Sequence, residues 1–160
     1  MTDRPEITIR SATAADRAFL ESLNDRLIDE AAIPGFNPED FRRFQARYTA
    51  AALDHAELGA ATLVAVDPSG QPLGYVHLRP EDDFLTGEPA GYVSILVVRA
   101  EAQGRGIGKM LLKAADDWAR ALGYRELLLD VFTSNETARR FYERNGFVDE
   151  SLRLRRPVGS

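Results

Sequence analysis

The join at residues 92–109 constrains this chain more than any other stretch. The most continuous apolar run of the chain, residues 92–98 with Ser94 inside it, is rich in β-formers and leads through Gln103-Gly104-Arg105-Gly106-Ile107-Gly108 into a helical pattern. Such a run belongs in the interior of a sheet. Glycines at 104, 106 and 108 let the backbone turn tightly and let a ligand approach without interference from a Cβ. The first turn of the helix that follows has N–H donors without intrahelical partners and the positive end of the macrodipole, so phosphate oxygens are stabilised there. Arg105 and Lys109 add charge. A dinucleotide fingerprint needs glycine where Lys109 stands. Asp130 sits where a ribose-binding acid is expected, yet too little chain follows it for a second mononucleotide half. A P-loop fails too, because Met110 follows Gly108-Lys109 and Gln103 occupies the place of the first glycine.

Around that join the periodicities set an order of elements. Ile7 and Ile9 alternate like a short edge strand, and Thr13 with Asp16 resembles a capping box. Leu20, Leu23, Leu27 and Ile28 then stripe one helix, stopped by Pro34-Gly35. Asn37 as cap and Pro38 at the first helical position open a second helix with the stripe Phe41, Phe44 and Tyr48. Residues 61–66, the turn Asp67-Pro68-Ser69-Gly70 and residues 73–78 read as a hairpin. After the glycine turn, Ile107, Leu111, Ala114, Trp118 and Leu122 recur at helical spacing, and Gly123 is a C-cap. Residues 127–132 predict a buried strand, Thr133 and Glu136 a helix start, Asn145-Gly146 its end, and residues 147–154 a last strand. No repeat, linker or low-complexity tract appears, so residues 1–160 are read as a single domain.

Composition narrows the function. Zero cysteines exclude a disulfide framework, a thiolate zinc site and a cysteine nucleophile. His55 and His77 lack a second ligand at metal spacing, so no metal is expected. A net charge of -5 argues against a general nucleic-acid binder. Residues 1–10 lack an apolar signal core and no run is long enough to cross a bilayer, so a cytoplasmic protein starting at Met1 and not bound to membrane is expected.

The residues from Val98 through Gly108 resemble the signature of the GNAT N-acetyltransferases, Gln/Arg-x-x-Gly-x-Gly/Ala after a strand. Residues 135–147, Asn-Glu-Thr-Ala-Arg-Arg-Phe-Tyr-Glu-Arg-Asn-Gly-Phe, resemble that family's second signature. The resemblance implies an α/β (α+β mixed) fold, a splayed and mostly antiparallel mixed sheet flanked by about four helices. It implies acetyl-CoA as acetyl donor, with coenzyme A as product. The sheet is expected to splay near Leu96, Val97 and Val98, where pantetheine pairs as a pseudo-strand and an amide near Leu96 polarises the thioester carbonyl. Gln103, Gly104, Arg105, Gly106, Ile107, Gly108 and Lys109 are expected at the pyrophosphate. Asn135, Ala138 or Arg139, and Tyr142 share one helix face. By the same resemblance Tyr142 is the general acid for the leaving thiolate, while Asn135 reads equally as a cap.

The implied activity is acetyl transfer to a primary amine of a small molecule by direct attack in a ternary complex. A non-catalytic acyl-CoA-binding domain, or acetylation of a protein or peptide amine, stays open, as does the oligomeric state, a homodimer included. Acceptor specificity is expected from the loops at residues 32–37 and 80–89, and Glu81, Asp82, Asp83 and Glu88 suggest a cationic acceptor. Ser94 stands where many members of the family carry glutamate, so the acceptor's proton is expected to leave through water held by Ser94 or Tyr92, toward solvent or Glu88. Tyr48 and Trp118 are read as core.

Overall fold

A computed structural model describes residues 6–30, 33, 35–54 and 57–159. Pro34, Ala32 and His55 lie outside the described residues. Five strands form one sheet in sequence order: β1 (Thr8–Ser11), β2 (Ala61–Val66), β3 (Pro72–Asp82), β4 (Pro89–Val98) and β5 (Leu127–Leu128). The first three pairings are antiparallel and the last, β4 with β5, is parallel. The helices are α1 (Arg17–Ser22), α2 (Asn24–Glu30), α3 (Pro38–Asp54), α4 (Ile107–Ala121) and α5 (Glu136–Arg144).

The expected N-terminal helix is divided at Leu23. Ser22 donates its hydroxyl to the Phe19 carbonyl at 2.6 Å, and the Asn24 side chain accepts from Thr49 on α3 at 2.6 Å. Both residue types offer the backbone and its neighbours hydrogen bonds that compete with a continuous helix. Leu20 and Leu23 still face the core, because the break keeps the apolar stripe in register with α3. The capping box forms as expected: Thr13 N–H donates to Asp16 Oδ2 at 2.7 Å, and Arg10 adds a two-pronged contact at 2.8 and 2.9 Å. Asn37 likewise caps α3, accepting from Glu39 N–H at 2.9 Å.

Two cores lie on the two faces of the sheet. Val76, Leu78 and Val93 meet Ile107, Leu111 and Ala115 of α4 on one face. Val64, Tyr75, Ile95 and Val97 meet Leu20, Leu23 and Ala52 of the N-terminal helices on the other. The buried stripe of α4 is Ile107, Leu111, Leu112, Ala115 and Ala119. Trp118 packs at its border, and Leu122 turns outward where the helix ends. Gly123 supplies the left-handed cap, with φ +79°, and Tyr124 N–H reaches back to the Ala119 carbonyl at 2.9 Å.

Two expected strands change. The strand predicted over residues 127–132 pairs only through Leu127 and Leu128, opposite Gly91 and Tyr92. The strand predicted over residues 147–154 does not form, and Val148, Leu152 and Leu154 are exposed. Alternating apolar residues make a strand only where a sheet edge takes up their backbone groups. Among the described residues this segment is held by the Phe147 N–H on the Tyr142 carbonyl at 3.0 Å, by the Phe147 ring against Tyr142 and by Arg139 with Asp149, and just beyond it Arg155 lies over Phe36.

Candidate active site

Three features of β4 build the site. Its partner β5 leaves it after Tyr92, so residues 93–98 face a cleft on that side. Opposite, on the β3 ladder, His77 pairs with Ile95 and Leu78 with Val93, which leaves Ser94 as the extra residue of a bulge. The side-chain phase flips there: Val93 packs toward α4 and Ile95 toward the N-terminal helices. Beyond the cleft, Leu96 and Val98 lie half-buried beside the α4 core, whereas the Val97 side chain is buried on the opposite face. Val97 can therefore reach a cleft ligand only through its backbone.

The strand then enters the glycine turn. Gly104 and Gly106 have φ of +76° and +77°, and a Cβ on either would meet no atom within 4 Å. These two glycines are required by backbone conformation, and they leave open space over the turn. Gly108 differs. Its added Cβ would come within 3.0 Å of the Phe141 ring, so Gly108 is small because α5 lies against α4 at that point. Gly106 caps α4 without a side-chain hydrogen bond, and the first intrahelical bond runs from Met110 N–H to the Gly106 carbonyl. The amides before Met110 point into the open space above the turn. Gln103, Arg105 and Lys109 are exposed around it, and Ile107 is a core residue.

The second signature faces the first across a cavity of about 350 Å³, lined by Arg26, Gln103 and residues 134–137. Asn135 caps α5 by accepting from Ala138 N–H at 3.2 Å, which commits the Ala138 amide to the helix and leaves the Asn135 NH₂ end for other partners. Tyr142 is half-buried between the rings of Phe141 and Phe147, at centroid distances of 5.3 and 5.5 Å. The structure thus brings Gln103 and Asn135 to one cavity, whose lining does not include Leu96 or Tyr142. Arg26 was not singled out from the sequence. Its Nε donates to the Val98 carbonyl at 2.8 Å, joining α2 to the end of β4. The two residues are 72 apart in the chain, and no local spacing signals the contact.

On the face of β4 away from α4, Tyr92 donates its hydroxyl to Asp130 Oδ2 at 2.6 Å. Burial, and then the adjacent Asp130 carboxylate, push the phenol far above its ordinary range, so Tyr92 stays protonated and remains a donor. The Arg79 guanidinium covers the Tyr92 ring at 4.3 Å and is paired with Glu81 at 2.9 Å. Among the described residues, Ser94 Oγ is buried without a hydrogen-bond partner. The tyrosine hydroxyl is thus committed to Asp130, and Glu88 lies in the turn before β4. The acidic loop is the turn of the β3–β4 hairpin, where Asp83 is buried and accepts from Leu85 N–H at 2.8 Å.

Residues 20–147 match the acetyltransferase (GNAT) family. Among curated relatives, an aminoglycoside N(6')-acetyltransferase type 1 of Stenotrophomonas maltophilia is 29% identical over 145 residues, covering 89% of this chain and 86% of that protein. An L-methionine sulfoximine/L-methionine sulfone acetyltransferase of Pseudomonas paraeruginosa is 32% identical, covering 88% and 79%. Among solved structures, a GCN5-related N-acetyltransferase from Ralstonia eutropha JMP134 superposes with a TM-score of 0.72 at 19% identity, covering 96% of this chain and 99% of that one. AAC(6')-Iy in complex with the bisubstrate analog CoA-S-monomethyl-acetylneamine gives 0.67 at 19%, covering 96% and 99%. With the family match spanning both signatures and the split sheet between them, this chain belongs to the GNAT family of acetyltransferases.

Proposed function

We propose that the protein transfers acetyl from acetyl-CoA to a primary amine of a small molecule, by direct attack while both substrates are bound. The observation that carries this reading is the junction at the end of β4: an uncovered strand edge, an uncapped helix start over two left-handed glycines, and a cavity shared by both signatures. The fit to a pyrophosphate rests on the space above Gly104 and Gly106, which a side chain would fill. Amides from Gly104 to Lys109 hold the phosphates, Gln103 and Asn135 flank them, and the edge at Leu96 to Val98 takes the pantetheine.

Acetyl-CoA supplies a thioester: the amine nitrogen bonds to its carbonyl carbon as the carbon–sulfur bond breaks and the electron pair leaves on sulfur. An amide at Leu96 stabilises the negative charge gathering on the carbonyl oxygen. Tyr142 gives its hydroxyl proton to the departing sulfur and is reprotonated from solvent, while the newly acylated nitrogen gives up its second proton to water, leaving a neutral amide and the free thiol. The acceptor must enter as ammonium and lose a proton before its lone pair is available. With serine at 94 and no carboxylate on β4 between residues 89 and 98, that proton leaves through water beside Tyr92 and Ser94 toward bulk solvent.

Named relatives that acetylate aminoglycosides and methionine sulfoximine or sulfone favour a small acceptor over a protein one. The test is calorimetric titration with acetyl-CoA, then coenzyme A release over a panel of amines, amino acids and peptides. Binding without release for any acceptor would leave an acyl-CoA-binding domain, and release with peptides alone would place the acceptor on a protein.

A further inference from the structure

The Tyr92–Asp130 contact lies beside a row of aromatic rings that no part of the reaction described so far uses. Phe41 and Phe44 of α3 stand edge-on to Phe132 at 5.5 and 6.3 Å, with Phe36 at 6.0 Å from Phe41 and Tyr48 at 4.6 Å from Phe44. Each of the five is only half-buried, so the row is a lining with one side open and not a closed core. Asp130 and Phe132 belong to one face of the segment after β5: Leu127 and Leu129 pack toward α4, and alternation sends residues 130 and 132 to the other side. The acid and the rings therefore share the α3 side of the sheet, next to the point where β4 and β5 part.

The chemistry of this surface is specific. Tyr92 occupies one Asp130 oxygen, which orients the carboxylate and leaves Oδ1 as an acceptor on an exposed residue. The neighbouring cation, Arg79, is already matched by Glu81. Around the rings, Arg42 and Arg43 pair with Glu39 and Asp40 of their own helix. One oriented carboxylate beside aromatic faces suits a single ammonium on an apolar body, since rings attract a cation and bury hydrocarbon together. A cation already rests on this row, with the Arg155 guanidinium 4.9 Å from the Phe36 centroid. A polycation would need several unmatched acids, and Glu39 and Asp40 of α3 and Glu81 of β3 are already paired with arginines.

We propose that the acceptor is a monoamine carrying an aromatic or other apolar group, its ammonium held by Asp130 and its apolar part by the rings around Phe132. This deepens the acetyltransferase reading above and rests on it. Asp130 is the specificity-determining residue and Tyr92 its positioning residue.

The experiment measures coenzyme A release with three matched acceptors: 2-phenylethylamine, ethanolamine and a polycationic aminoglycoside. The expected kcat/KM for the arylalkyl amine exceeds both others by about tenfold or more. Asp130→Asn should lower kcat/KM for that amine by about tenfold to a hundredfold, mainly through its KM, with the KM for acetyl-CoA within about twofold of the parent. Asp130→Glu should recover part of the loss. Phe132→Leu should shrink the preference for phenylethylamine over ethanolamine, read as the ratio of the two kcat/KM values. Tyr92→Phe should raise the amine KM less than Asp130→Asn does. Calorimetric binding of acetyl-CoA to each variant separates the two readings. Normal acetyl-CoA binding with a preference for the aminoglycoside, or with Asp130→Asn indistinguishable from the parent, overturns this inference alone. Loss of acetyl-CoA binding by the parent protein overturns both. If Asp130 only supports the fold, the variant would lower thermal stability and weaken acetyl-CoA binding together, which also overturns it.

Discussion

Three glycines of one turn do two different jobs. At Gly106 the strain of an added side chain comes from φ +77° and not from crowding, since nothing lies within 4 Å. Gly106→Ala should therefore cost about 1–2 kcal/mol of backbone strain. The expected outcome is acetyl-CoA affinity reduced about tenfold, read by calorimetry, in a protein that still folds. Gly108 has no positive φ, so Gly108→Ala should act through the Phe141 ring instead and loosen the contact between α4 and α5. A second residue, Tyr142, tests the proposed acid. Tyr142→Phe keeps the packing between Phe141 and Phe147 and removes the proton donor. Turnover should fall about a hundredfold with little change in the KM for acetyl-CoA, as steady-state kinetics would show.

At the level of elements, most of what the sequence predicted came from local spacing, and its errors came from contacts between distant segments. The Thr13–Asp16 cap, the Asn37 cap, the hairpin turn at Asp67 and the Gly123 and Gly146 stops are each written within a few residues, and each forms. The divided N-terminal helix depends on Thr49, 25 residues from Asn24. The missing final strand depends on whether β5 offers an edge, which alternation within residues 147–154 does not reveal. The site divides in the same way. The half proposed for the cofactor lies in two continuous motifs, whereas Tyr92 with Asp130 spans 38 positions and Arg26 with Val98 spans 72. The Thr13 cap also carries a pH dependence. Hydrogen bonds from Arg10 hold the Asp16 carboxyl below its ordinary value of 3.8, against the opposing effect of burial. A lowered folded-state pKa means this stabilisation is complete above the unfolded value of 3.8 and disappears as pH falls through the folded one. Asp16→Ala should lower stability by about 1–2 kcal/mol at neutral pH. The parent and variant melting curves should converge as the solution is acidified below 3.8 and through the lower folded-state value.

For the molecule as a whole, acetyl-CoA is expected to bind the folded state and raise its melting temperature, with about 2.7 kcal/mol of stabilisation at a hundredfold excess over Kd. NAD at the same concentration should leave the melting temperature unchanged, since Lys109 replaces the third glycine of a dinucleotide turn. Among the described residues no helix is long and apolar enough to cross a membrane. The β4–β5 ladder ends after two residue pairs, and α5, which follows β5, has no fully buried side chain. The C-terminal arm is thus joined to the larger body by a short seam, the Phe141 ring on Gly108, and side-chain contacts from Asp130, Phe132 and Arg155. Local opening there costs far less than global unfolding. Amide hydrogens of α5 should exchange with deuterated water orders of magnitude faster than those in the middle of α4, and acetyl-CoA, lodged in the seam, should slow exchange in the arm while scarcely touching β1 to β3. The donor would then be a part of the architecture during turnover, and each departure of coenzyme A would briefly give the arm its freedom back.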